Sequence, residues 1–250
     1  MFSNILCAAS LMFSLPTMVK SCDGTLPVVD LTAQDAAVNI VDAMQTWGFS
    51  YIKGHNIQEE IIQKAEEHSK RFFRMPSRVN RQITADRSAR GFTGLRKEQL
   101  DITAKGRPDL KEVLDVGIIN KTAVNIRGKR HYLGENKWPS SEKELENAIE
   151  TYAGNAAVVA ENVLQLIAEG LGNKGAFNDA FGEDALQVQR LTRYPPSNQI
   201  EDKKPGEIGS GTHSDYGGIT VLYASGPGLK VLRPNRTANQ VYLIHTYEGI

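Results

Sequence analysis

The chain has almost no cysteine: of its 250 residues only Cys7 and Cys22 carry a thiol, and both precede the first convincing strand pattern. A disulfide framework and a CxxC zinc site are thereby excluded, so any metal must be held by His, Asp or Glu. An excess of one charge is also missing, since Lys plus Arg and Asp plus Glu number 29 each. There is neither a basic field to draw in nucleic acid nor an acidic excess to keep the chain unfolded. No nucleic-acid partner is expected. Long uncharged apolar runs are scarce too. The one of note, ILCAASLMFSLP at residues 5–16, has signal-peptide length but is too short to span a bilayer. It lacks a basic segment before it and a clear small-x-small cleavage site after it. Residues 1–25 are therefore set aside as an N-terminal extension, and a cytoplasmic chain with no membrane partner is expected, secretion being the weaker alternative. Internal repeats and low-complexity linkers are absent.

What is present is an ordinary 40% of apolar residues, enough for a core. LPVVDL at 26–31 has the pattern of a short strand. Ala37, Ile40, Val41, Met44 and Trp47 then share a helical face that Gly48 ends. FSYIKGH alternates as a strand, and Ile57, Ile61, Ile62, Ala65, Phe72 and Phe73 predict a second helix that Pro76 stops. The N-terminal third thus reads β-α-β-α. Residues 78–139 are polar and glycine-rich, with RGFTGL, GRPDLKEVLDVG and RGKRHYLGENKWP as loops around short strands. Ser141 with Glu144 reads as a capping box opening a long helix whose face runs from Ala148 to Ile167. From Leu186 the period becomes two. LQVQRLTRYPP, GITVLYAS, GLKVL and QVYLIHTY are four strand candidates, which favours an antiparallel sandwich or barrel.

GTHSDYGGITVL at 211–222 places His213 and Asp215 two residues apart. On a strand or strand end they would share a face, and an imidazole with a carboxylate leaves open positions on a first-row metal. A second histidine would complete the facial triad of non-haem Fe(II) oxygenases. The plainer reading is a turn in which Ser214 and Asp215 satisfy backbone groups.

The surroundings carry more weight than the dipeptide. RLTRYPPSN at 190–198, GTHSDYGGITVL and GPGLKVL at 226–232 resemble the core of the Fe(II)- and 2-oxoglutarate-dependent dioxygenases related to isopenicillin N synthase. LPVVDL, WGFSYIKGHNI, FFRMP, RGFTGL and GRPDLKEVLDVG fall in the order and spacing of that family's N-terminal region, so the resemblance covers residues 26–232. It implies a mostly β chain with α: a double-stranded β-helix (jelly roll), incomplete at its C-terminal end, after a helical N-terminal region. Residues 26–140 would be the non-haem dioxygenase N-terminal region. Residues 141–250 would be a partial jelly-roll domain with a long lead-in helix. His213 and Asp215 would be iron ligands, and Tyr194 in the RYPP strand would line the 2-oxoglutarate pocket. The cofactor implied is Fe(II) and the co-substrate 2-oxoglutarate. The partners are O2 and a small organic molecule to be hydroxylated, desaturated or cyclised.

Two elements of the family pattern are missing. A second histidine is expected several dozen residues past the aspartate, followed by an Arg-x-Ser pair. The sequence ends 35 residues after Asp215, its one later histidine is His245, and neither Arg233 nor Arg236 has serine two positions on. The resemblance stops near Pro234. A jelly roll without its last strands would expose sheet edges and part of its core, and such a chain would fold loosely. Two rival readings therefore stand beside the dioxygenase. One is an inactive relative that binds or regulates. The other is an enzyme that oxidises its substrate directly, without 2-oxoglutarate. His55 in KGHNI reads as structural, while His68 in a charged helix and His131 in a polar loop read as solvated. GSGTHS is followed by a strand rather than a helix, so a dinucleotide loop is excluded. The basic run at 127–132 reads as a solvated loop.

Overall fold

The structure, a computed structural model, describes residues 5–8, 26–101, 108–117, 134–178, 187–215, 217–232 and 241–243. In chain order the elements are β1 (Ile5–Ala8), β2 (Val28–Asp30), α1 (Ala36–Thr46), β3 (Phe49–Lys53), α2 (Glu59–Phe73) and α3 (Ser77–Asn80). There follow β4 (Gly91–Thr93), β5 (Glu112–Gly117), α4 (Lys143–Gly170), β6 (Val188–Arg193), β7 (Thr220–Leu222), β8 (Lys230–Leu232) and β9 (Val241–Leu243). They form two compact units. The first comprises Met1–Glu59, Asn155–Phe181 and Ser214–Ile250, the second Glu60–Gly154 and Gly182–His213.

In the first unit the apolar spacing of α1 buries Ala36, Ile40 and Ala43, with Trp47 just beyond its end. The neighbouring sheet has the order β2-β3-β1-β7. β2 and β3 run parallel, as the intervening helix requires of a β-α-β crossover, with Val29 opposite Ile52. β1 runs antiparallel to both its neighbours, Leu6 facing Tyr51 on one side and Leu222 on the other. The hairpin β8-β9 buries Val231 against Leu26, Phe49, Tyr51 and Leu222.

The second unit is built on an antiparallel sheet of order β4-β5-β6, in which Leu114 pairs with Phe92 and with Leu191. Its middle strand β5 buries Val113, Leu114 and Val116, as a strand with neighbours on both edges should. α2 presents Ile62, Ala65 and Phe72 to the interior, and the Phe72 ring meets Phe73 and Phe92 edge-on at 5.0 and 5.9 Å. Residues 143–154 of α4 belong to this unit and add Leu145 and Ile149 to its core.

The β-α-β-α reading of the N-terminal third corresponds to β2, α1, β3 and α2. Elsewhere the boundaries differ. The four strand candidates after Leu186 are short, and the capping box does not form. α4 starts at Lys143, and the Ser141 hydroxyl faces the Met75 sulfur at 4.0 Å instead of a helix amide. The apolar segment at 5–8, set aside from the sequence, is the strand between β3 and β7.

Candidate functional site

His213 and Asp215 lie on an extended loop, not on a strand; β7 begins only at Thr220. Gly217 interrupts the strand pattern, because its φ of 104° takes the backbone out of the β region. Both side chains are exposed. His213 belongs to the second unit and Asp215 to the first.

The His213 ring has a defined orientation. Its Nδ1 is 2.7 Å from the Gly211 carbonyl oxygen. A carbonyl can only accept, so Nδ1 carries the proton and Nε2 is the atom through which this imidazole would coordinate a metal. Gly211 is held in turn: its amide donates to Asp109 Oδ1 at 2.9 Å. A side chain at Gly211 would place Cβ 2.4 Å from Asp101 Cβ, so the close approach requires glycine.

Asp109 and Lys111 lie just before β5 and are almost fully buried, with side chains 2% and 4% exposed. The second oxygen of Asp109 accepts from the Leu100 amide at 3.3 Å and sits 3.2 Å from Lys111 Nζ. Lys111 Nζ is also 3.2 Å from Glu98 Oε2. Arg190 on β6 forks onto Asp115 of β5, both contacts at 2.8 Å, and reaches Glu98 with its other edge. The buried charges are therefore paired, as a low-dielectric interior demands.

Tyr194 lies one residue past the end of β6, not within a strand. Its ring leans on Gly209, where an added Cβ would come within 2.8 Å of Cδ1. Half of the side chain is exposed, whereas burial of its hydroxyl, with the nearby negative Asp109, holds the phenol above its ordinary value. Tyr194 and His213 are thus tied to the same loop, 209–213.

The loop before it is clamped by Arg96, a residue in the left-handed region at φ 59°. Its guanidinium forks onto Glu207 at 3.1 Å twice and reaches the Glu201 and Asp202 carbonyls at 3.3 and 3.4 Å. Arg96 first, and then the Lys204 amide, holds the Glu207 carboxyl below its ordinary 4.5. The sign follows from that depression: the contribution to stability is complete above 4.5 and is lost as pH falls toward the folded-state value. Glu207→Gln should therefore flatten the acid limb of a stability curve taken downward from about pH 6. Parallel wild-type and variant limbs in urea unfolding would show that the clamp contributes nothing.

His68 corrects a sequence expectation. It is buried, its Nδ1 3.3 Å from Glu142 Oε1 and its Nε2 3.7 Å from Glu144, while Arg71 takes the other Glu142 oxygen at 3.2 Å. That arrangement ties α2 to the start of α4. His55 accepts from the Ile57 amide at 3.1 Å at the junction of β3 and α2, a structural role. His131, His245, Arg233, Arg236 and the basic run at 127–132 lie outside the described residues. Among the described residues no group of three or more His, Cys, Asp and Glu converges as a metal cage.

Residues 26–141 match the family model for the N-terminal region of non-haem dioxygenases in morphine synthesis. A homoarginine-6-hydroxylase of Arabidopsis thaliana is 27% identical over 206 residues, 82% of this chain and 61% of the relative. A validamycin A dioxygenase of Streptomyces hygroscopicus subsp. limoneus is 29% identical over 211 residues, 80% of this chain and 58% of the relative. A full-length Neurospora crassa protein crystallised with alpha-KG (2-oxoglutarate) superposes with a TM-score of 0.71 at 26% identity, over 92% of this chain and 72% of its own.

The chain is similar to the Fe(II)- and 2-oxoglutarate-dependent dioxygenases over most of its length.

Fe(II) and 2-oxoglutarate are the metal and co-substrate of the family it resembles. The chain spans about 60% of the length of these curated dioxygenases. A rice dioxygenase for auxin oxidation shares the fold at 18% identity, with a TM-score of 0.60 over 90% of this chain. The donors present suit such a metal: an imidazole already oriented through Nδ1, with a carboxylate two residues on. The buried network around Asp109 was not singled out from the sequence. Its one local sign is that GRPDLKEVLDVG puts charges at Asp109, Lys111 and Asp115 beside residues with a strand pattern.

Proposed function

We propose that this chain carries the Fe(II) and 2-oxoglutarate site of an oxidoreductase acting on a small organic molecule, on a jelly-roll scaffold. The observation that supports the reading is the 2.7 Å contact from His213 Nδ1 to the Gly211 carbonyl, which would direct Nε2 toward a metal in a chain resembling this family. His213 and Asp215 would hold the metal, and Tyr194 would line the pocket for 2-oxoglutarate. Fe(II) held there would let O2 carry out two coupled two-electron oxidations: 2-oxoglutarate would take up one oxygen atom and leave as succinate and CO2, and the other oxygen atom would oxidise the substrate.

The protein's share is orientation. Gly211 fixes the tautomer of His213, and the fork of Arg96 onto Glu207 anchors the loop that leads to it. Tyr194 presents half of its ring beside that loop, where it can pack against a bound 2-oxo acid and exclude water. A small organic substrate is supported by relatives named for homoarginine and validamycin A, and by a Neurospora crassa structure holding thymine with alpha-KG. Hydroxylation is the reaction that the first of these names carries. No described helix is long and apolar enough to cross a membrane.

The test is uncoupled turnover. The purified chain, supplied with Fe(II) and 2-oxoglutarate labelled at C1, should release labelled CO2 in proportion to succinate, and His213→Ala should not. Fe(II) binding without decarboxylation would overturn the reading in favour of a binding or regulatory relative, or of an enzyme that oxidises its substrate directly.

A further inference from the structure

The His213 ring is held by Gly211, and Gly211 is held by a carboxylate 102 residues earlier in the chain. We propose that Asp109 is the positioning residue for His213, acting through the Gly211 amide. The inference rests on His213 being a metal ligand and goes beyond it by naming what aims the ligand.

Three observations converge. Asp109 is buried, so its carboxylate has no solvent to relax into, and three donors fix its plane: the Gly211 amide at 2.9 Å, the Leu100 amide at 3.3 Å and Lys111 Nζ at 3.2 Å. Lys111 is itself pinned between Asp109 and Glu98, which keeps the pair from swinging. At the other end, Gly211 presents its amide to Asp109 and its carbonyl to His213, so one residue passes the position of the buried carboxylate to the imidazole. A bond from a charged acceptor to a backbone amide is stronger than a neutral one, and it acts here where water does not compete. The alternative is that Asp109 merely neutralises Lys111. That role would have no effect on the His213 tautomer.

The experiment uses the full chain, labelled with 15N-histidine, and four proteins: wild type, Asp109→Asn, Asp109→Leu and His213→Ala. Co(II) alone is the metal probe, and the tautomer of His213 is read from its ring nitrogen shifts without metal. Asp109→Leu, which removes every acceptor, should move His213 from the Nδ1-protonated form toward a mixture. It should also weaken Co(II) binding by about tenfold to a hundredfold, the usual cost of losing a residue that supports a ligand. Asp109→Asn should do the same to a smaller degree. Its amide oxygen can still accept from Gly211, but its NH2 then faces the Leu100 amide and Lys111.

An unchanged tautomer and unchanged Co(II) affinity in the folded asparagine and leucine variants would overturn the proposal. If the leucine variant does not fold, the asparagine variant decides by the same two readings. His213→Ala separates the two layers. If it leaves Co(II) affinity intact, the ligand assignment fails, while the tautomer of His213 in the Asp109 variants still decides whether Asp109 positions the ring. If it abolishes binding and the Asp109 variants do not weaken it, only the positioning role falls.

Discussion

Replacing His213 or Asp215 with alanine should eliminate Fe(II) binding and, with it, every Fe(II)-dependent conversion of 2-oxoglutarate. Each substitution takes away one of the two protein donors proposed for the metal. The loss should exceed the tenfold to hundredfold, in order of magnitude, that follows from removing a supporting residue. Neither change should cost much stability, since both side chains are exposed. His68→Ala supplies the contrast. That ring is buried against Glu142, so its removal opens a cavity and leaves this buried carboxylate with Arg71 as its ion-pair partner, which should lower the unfolding midpoint while leaving metal affinity unchanged. Co(II) titration followed by thermal unfolding measures both effects. Wild-type affinity in both the His213 and Asp215 variants would sink the metal assignment.

Gly211→Ala should show how finely the loop is placed. The new methyl would lie 2.4 Å from Asp101 Cβ and 3.1 Å from the Asp101 amide nitrogen, so backbone rather than a flexible side chain must give way. Overpacking of this kind costs about 1–3 kcal/mol. The shift would carry the Gly211 amide away from Asp109 and its carbonyl away from His213, so metal affinity should fall together with stability. Gly218→Ala is the matched control, because a Cβ there meets nothing within 4 Å and φ is not in the left-handed region. Equal unfolding midpoints and equal Co(II) affinities for the two alanine variants would show that the contact at Gly211 is not a constraint.

The parts of this chain legible in its sequence are those whose physics is local. The helical spacing of Ile40, Val41, Met44 and Trp47 and the alternation through Ser50 and Ile52 mark α1 and β3 because a helix and a strand repeat over a few residues. His213 and Asp215 are likewise visible as a pair because they are neighbours. His68 reads as solvated because Glu66, Glu67, Lys70 and Arg71 give its helix a charged look. Yet it lies three residues after Ala65 and four before Phe72, on the buried face, and that spacing could have placed it. Asp109 could not be placed that way. Its partner is Gly211, and nothing near residue 109 announces a bond to an amide so far along the chain. The paired charges of Lys111, Glu98, Arg190 and Asp115 are hidden for the same reason. Ser141 and Glu144 show the converse, a local signature that the fold does not use, because the hydroxyl faces Met75.

The position of β1 in its sheet bears on how the chain is made. Of the two cross-strand partners of Leu6, Tyr51 leaves the ribosome soon after it and Leu222 long after it. At a synthesis rate of about 5–20 residues per second, the second partner follows on the order of 10–40 s later. Over that interval one edge of an Ile-Leu-Cys-Ala segment has no strand to pair with, which is the condition that recruits chaperones or invites pairing between nascent chains. Closing this sheet is thus a late event in biogenesis, tied to the emergence of the same stretch of chain that carries His213 and Asp215.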